Sequence, residues 1–306
     1  MKESRHPHDP DPWWQESVFL AWRDAASGIG GVHRIGTEIN RGTSNCWLAL
    51  FQEGTAQYRQ VQEDVPFVDM GQTGFGCGPA RFSATAAGLQ WLLDTDEASC
   101  ALTIKDFPGE NLWHGGGSAT KNLSERDHYH NFCSVRGTVR LGSQTREVNG
   151  VGWRDHSYGV RHWDQVMHHR CVAGSFTPDH ALDFMSWTGV DGRLVHGGFE
   201  IKGGKKAEIK DFDLTIAVDE DGVSARSADV KGLLPSGESF ALHFQSTGSV
   251  LVHRGAYLGI EAVGIASLAN GARGFGYMAC SNNARLGQAY PPLILNALAK
   301  NGLAGQ

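Results

Sequence analysis

No Cys-x-x-Cys element occurs in this chain. Its six cysteines, Cys46, Cys77, Cys100, Cys133, Cys171 and Cys280, stand far apart. That spacing speaks against paired metal thiolates, and reduced, buried thiols in a cytoplasmic protein are expected instead. No stretch approaches ~20 apolar residues, so no transmembrane helix is expected. The N-terminal run MKESRHPHDPDPWW has no apolar core of signal-peptide length, and export is not expected. Lys and Arg (27) are outnumbered by Asp and Glu (33), and no basic patch of the kind that binds nucleic acid is present. His-Glu-x-x-His is missing, and so is a Gly-x-Ser-x-Gly elbow. Gly115-Gly116-Gly117 is not followed by Gly-Lys-[Ser/Thr], and Gly274-x-Gly276 sits in a strand-like run. These absences argue against zinc proteases, α/β-hydrolases, P-loop proteins and dinucleotide binders.

What is present reads as all-β. The 306 residues are 41% hydrophobic and 20% charged, which is globular, with 40 Gly and only 10 Pro. Residues 17–24, 32–38, 46–51, 88–94, 101–107, 130–141 and 146–150 read as strands. The turns between them include 27–31 and Gly142-Ser143. The second half repeats the pattern at 172–176, 181–189, 194–201, 239–244, 259–264 and 274–279. Asp191-Gly192 and Asp221-Gly222 supply hairpin signals there. Helices should be few and short. The best candidate is 291–301, with Pro292 in its first turn and Gly302 to stop it. The Gly-rich segment 111–122 reads as a loop. The expected division is a flexible tail or a strap lying on the surface (1–12), a first β domain (13–155) and a second (156–306). A long antiparallel sheet tends to close on itself, and about eight strands enclose room for one small ligand.

The densest chemistry lies at Gly152 to Trp163, GWRDHSYGVRHW. It sets Arg154, Asp155, His156, Tyr158 and Arg161 among Trp153 and Trp163. Desolvated by the aromatics, Asp155 would have a raised pKa and suit a proton donor, with His156 and Tyr158 as relays. Arg154 and Arg161 could instead hold Asp155 ionised, as a base or a structural anchor, and the Asp155-His156 pair could simply tie two barrels together. Alternation also divides the set: Asp155 and Ser157 share one face, and Arg154, His156 and Tyr158 the other. Glu16, just after Trp13 and Trp14, is the second acidic candidate, with a solvent-facing strand end as its bland reading. Tyr129 alternates with His128 and His130. His128-x-His130 could ligate zinc from one face of a strand, but no third ligand of diagnostic spacing lies beside it. No metal is therefore assigned. Trp22, Trp153, Trp163 and Trp187 are the expected pocket walls, near the domain junction.

The Asp155-His156-x-Tyr158-Gly159 core resembles the Asp-His-x-[Trp/Tyr]-Gly signature of the AttH-like and carotenoid hydratase group of tandem lipocalin-like proteins. Trp14 to Phe19 is similar to that group's first strand. Asp183 to Trp187, with Asp191-Gly192, is similar to its second-domain hairpin. The resemblance implies two β-barrels side by side and a pocket for a hydrophobic molecule. It also implies cofactor-independent lyase, hydratase or isomerase chemistry on a terpenoid, steroid or phenylpropanoid. A non-catalytic carrier of a lipophilic metabolite is the alternative, because fold does not dictate function. The chain alone leaves a homodimer open.

Overall fold

The computed structural model describes residues 3–86, 88–109, 127–189, 192, 194–220, 224–255 and 257–283. The expected loop at 111–122, the helix at 291–301, and Asp191 and 221–222 of the hairpin turns lie outside the described residues. The described chain folds into two compact units, 1–162 and 163–306.

The first unit is one antiparallel meander. Its strands are β1 (Trp14–Asp24), β2 (Ile29–Glu38), β3 (Thr43–Gln52), β4 (Thr55–Pro66), β5 (Gly74–Cys77), β6 (Ala80–Thr85), β7 (Gly88–Asp94), β8 (Ala98–Asp106), β9 (Asp127–Leu141) and β10 (Gln144–Val160). Among the described residues the sheet runs β4-β3-β2-β1-β10-β9-β8-β7-β6-β5. A bridge between Val68 and Gly76 links the segment after β4 to β5, the two ends of that order.

Inward residues alternate along each strand. They include Val18, Leu20 and Trp22 of β1, Ile35 of β2, Leu48 and Leu50 of β3, Phe75, Phe82, Trp91, Leu102, Cys133 and Val135. Burying such a set is the main force that curls the sheet. Trp22 Nε1 donates to His33 Nε2 at 2.9 Å inside this core. Burial depresses the His33 pKa to about 3, so the ring is neutral. Gly31 makes the pair feasible, because a Cβ there would stand 2.5 Å from His33 Nε2 and 2.8 Å from Trp22 Nε1. The turn expected over 27–31 is accordingly shorter. It ends at Gly28 (φ 69°), and Ile29 to Gly31 already belong to β2.

The expected division between 155 and 156 falls inside β10, a 17-residue strand paired on both sides. A boundary cannot sit in a strand held by two ladders. The compact unit therefore continues to His162. Nor are residues 3–12 a free tail. Asn40 Nδ2 donates to the carbonyls of Asp9 and Asp11 at 2.7 Å each. Arg5 bonds the carbonyls of Gln72 (2.7 Å) and Gly74 (2.9 Å). Glu3 is 5% exposed.

The second unit holds β11 (Val166–Thr177), β12 (His180–Gly189), β13 (Leu194–Lys202), β14 (Lys205–Ile209), β15 (Phe212–Val218), β16 (Ala225–Leu233), β17 (Ser239–Arg254), β18 (Tyr257–Leu268) and β19 (Arg273–Asn283). Among the described residues their order is β14-β13-β12-β11-β19-β18-β17-β16-β15, all antiparallel. Phe184 packs on Phe212 and Phe240 at ring distances of 4.9 and 5.4 Å. The two curled sheets, a nearly closed barrel and a half-barrel, are the tandem lipocalin-like arrangement expected. Among the described residues helix is confined to three one-turn 3₁₀ segments. No described helix is long and apolar enough to cross a membrane.

Candidate functional site

β10 is extended through the Asp-His core, so its neighbours in sequence point to opposite faces. Cross-strand pairing sets Val18 opposite His156 and Glu16 opposite Tyr158, on the inward face. Tyr129 of β9 stands opposite His156 on its other side. The expected relay from Asp155 through His156 and Tyr158 is therefore not assembled. Asp155 is on the other face.

The inward face carries a hydrogen-bonded chain instead. His156 is fully buried. Its Nε2 lies 2.9 Å from Glu16 Oε1, and its Nδ1 lies 2.6 Å from Glu3 Oε2. The Tyr129 hydroxyl is 2.6 Å from the same Nδ1 and donates to Glu3 Oε2 at 3.0 Å. Arg154 Nη1 donates to Glu3 Oε1 at 2.7 Å. The rest of that guanidinium forks onto Asp106, at 2.6 and 2.5 Å. At the other end, Glu16 takes His6 Nδ1 (2.6 Å) and the His6 amide (3.0 Å). The His6 ring stacks on Tyr158 at 3.7 Å and keeps part of its surface in solvent. Phe75 meets His156 edge-on at 5.5 Å.

These neighbours decide the protonation states. For His156, burial is the largest single effect and favours the neutral ring. Glu16 and Glu3 together outweigh it and hold the pKa at about 9. Burial likewise pushes Glu3 upward, yet His156, Arg154 and Tyr129 overcome it and hold Glu3 at about 2. Glu16 is also depressed: its burial is outweighed by the bonds from His156 and His6. Burial, reinforced by Glu3, pushes the Tyr129 phenol well up, so it stays a donor. The interior thus holds an imidazolium between two carboxylates.

The outward face of β9 and β10 gathers Asp155, His128 and His130. Asp155 pairs in register with His130 and contacts His128 Nε2. His128 and His130 bring their Nε2 atoms to 2.9 Å. Trp153 packs edge-on against His130 at 4.3 Å and against Phe19 at 5.7 Å. Arg161, just past β10, donates to Ser157 Oγ at 2.8 Å, which meets Ser17 Oγ at 3.1 Å. Of the expected walls, Trp22 lies in the first core. Trp163 and Trp187 belong to the second unit, where Trp163 meets Tyr257 at 4.9 Å.

Glu16, Tyr129, Arg154, His156 and Tyr158 are thus brought together. Sequence reasoning missed Glu3, His6, Asp106 and Phe75. One signal was available. A buried Arg-His pair needs carboxylate partners, and Glu3 and His6 stand in a segment punctuated by Pro7, Pro10 and Pro12 that reads as a tail.

Among the described residues, two groups have ligand atoms within 4.8 Å of one another: His6, Glu16 and His156, and His128, His130 and Asp155. In the first, both His156 nitrogens are committed to carboxylates. A metal ligand must be a neutral ring with a free lone pair, so this group fits a proton chain better than an ion.

Solved structures share this architecture. A putative AttH (NE1406) from Nitrosomonas europaea superposes with a TM-score of 0.64 at 12% identity, covering 88% of this chain and 92% of that one. CghA with Sch210972 gives 0.60 at 11%, covering 89% of each chain. Kievitone hydratase from Nectria haematococca gives 0.60 at 10%, covering 88% of each. At such identities the likeness is one of fold, and at that level the AttH-like resemblance is borne out. A search among curated proteins finds no match. The profile described as "Domain of unknown function (DUF7064)" matches residues 1–284, and the chain belongs to that family.

Proposed function

We propose that this protein is a lyase of the hydratase type, or an isomerase, acting on a hydrophobic small molecule by general acid–base chemistry inside its first unit. One observation carries the reading: the hydrogen-bonded chain from half-buried His6 through Glu16 to fully buried His156, on the same face as the apolar core. Water addition and double-bond migration need a proton delivered to carbon and another removed nearby, and dehydration needs one removed from carbon and one delivered to the leaving hydroxyl. His156 is the acid, Glu16 accepts or returns its proton, and His6 connects the pair to solvent. Glu3 and Tyr129 fix the ring through Nδ1. Phe75 and the inward aliphatics keep the site dry, and a dry site strengthens each of these contacts. The shared fold with kievitone hydratase supports the reaction class.

A second reading has its own support. Both His156 nitrogens are already engaged, which suits a structural clamp in a carrier of a lipophilic ligand. Mass spectrometry of a lipophilic host extract incubated with wild type or Glu16→Gln separates the two. A mass change of one water, or a new isomer, made by wild type and reduced roughly 10²-fold or more in the variant is expected. A compound retained unchanged by both proteins would establish the carrier instead.

A further inference from the structure

The outward cluster on β9 and β10 is not used by this chemistry. His128 and His130 are two residues apart on β9 and share a face, and Asp155 of β10 is the direct cross-strand partner of His130. Three ligand atoms, two imidazole Nε2 and one carboxylate oxygen, converge within 4.8 Å. His128 Nε2 faces the Asp155 carboxylate and, at 2.9 Å, His130 Nε2. One proton on His128 Nε2 can serve only one of these contacts well. A proton on each ring would set two N–H groups against each other. A cation at the centre would take all three converging atoms as ligands at once.

We infer that His128, His130 and Asp155 form a binding site for a first-row divalent cation, Zn²⁺ being the best match. Two metal–nitrogen bonds at a right angle span about 2.9 Å, and at a tetrahedral angle about 3.3 Å. The observed 2.9 Å therefore needs at most a few tenths of an ångström of opening. Imidazole with one carboxylate suits zinc and its transition-metal neighbours; calcium and magnesium prefer all-oxygen sets. Trp153 packs on the His130 ring and limits its rotation. The His128 and Asp155 side chains are 14% and 15% exposed, enough for an ion to enter and for water to complete its coordination. The sequence shows the His-x-His half of this site. The third ligand, 25 residues on from His130, is supplied by strand pairing.

The test uses the full chain, stripped with chelator and then dialysed against ZnCl₂ or CoCl₂ alone. Elemental analysis should return one equivalent of metal per chain. His128→Ala and Asp155→Asn should each weaken binding at least tenfold, while His6→Ala, in the other cluster, should leave the stoichiometry unchanged. If the substituted proteins fail to fold, X-ray absorption at the zinc edge of wild type decides. Nitrogen and oxygen ligands with imidazole scattering support the site. Sulfur ligation, a fully hydrated ion, no stoichiometric uptake, or uptake unaffected by His128→Ala would overturn it.

Discussion

Glu3→Gln should unfasten the N-terminal strap from the first unit. Glu3 bridges Arg154 (2.7 Å) and His156 (2.6 Å) and accepts from Tyr129 (3.0 Å), all buried. Its pKa falls from an ordinary 4.5 to about 2. That difference corresponds to about 3 kcal/mol of stability carried by the ionised carboxylate, at 1.36 kcal/mol per pKa unit. Removing one partner of a buried charge pair costs a similar ~3–5 kcal/mol, because the cations lose their counter-charge. The sign follows from the depressed pKa. The stabilisation is complete above the unfolded value and is lost as pH falls from about 4.5 towards 2. Urea unfolding of both proteins by tryptophan fluorescence, from pH 7 to pH 2, reads this out. Wild type should exceed the variant by about 3 kcal/mol near pH 6, and the gap should close near pH 2. Glu16 titrates in both proteins, so it largely cancels in the difference. A gap under ~0.5 kcal/mol at pH 6, or one that ignores pH, would refute the anchoring role.

Other substitutions probe the same interior. Gly31→Ala drives a methyl into the Trp22–His33 pair and should cost about 1–3 kcal/mol in urea unfolding. Trp22→Phe leaves the buried His33 Nε2 without its donor and should cost about 1–3 kcal/mol beyond the lost packing. Arg154→Leu leaves Glu3 and Asp106 without their fork and should lower stability by about 3–5 kcal/mol, and less at pH 3, where carboxylates begin to protonate.

The meander was legible because alternation and turn chemistry are local. Gly142 turns β9 into β10, and strand 88–94 lies where the apolar–polar period puts it. Alternation also separates Asp155 from His156, and that separation decides which of them faces the core. The long-range pairings were not legible. β1 lies against β10, so Glu16 meets His156 across 140 residues, and no local pattern encodes such a register. The strap's buried anchor, Glu3, was not foreseen, for a physical reason. The segment's polar, proline-punctuated composition is that of a tail until Arg154 and His156 are seen buried and in need of Glu3. Asp106, at the end of β8, carries no motif and takes its role from the guanidinium it faces. Asp155 was singled out for its aromatic neighbours. Of these, Trp153 shares its outward face, where Phe19 joins it, while Tyr158 faces inward and Trp163 belongs to the second unit.

The most direct test of the acid–base claim is the reaction run in D₂O. Lipophilic extract is incubated with wild-type protein and with Glu16→Gln, and carbon-bound deuterium is read by mass spectrometry after back-exchange in H₂O. Water addition or double-bond migration through Glu16 and His156 would deliver a solvent-derived deuteron to carbon, so one product should carry one deuterium with wild type and little or none with the variant; dehydration would instead give an unlabelled product one water lighter, again with wild type alone. Neither a labelled nor a dehydrated product with wild type, or equal product from both proteins, would contradict the account.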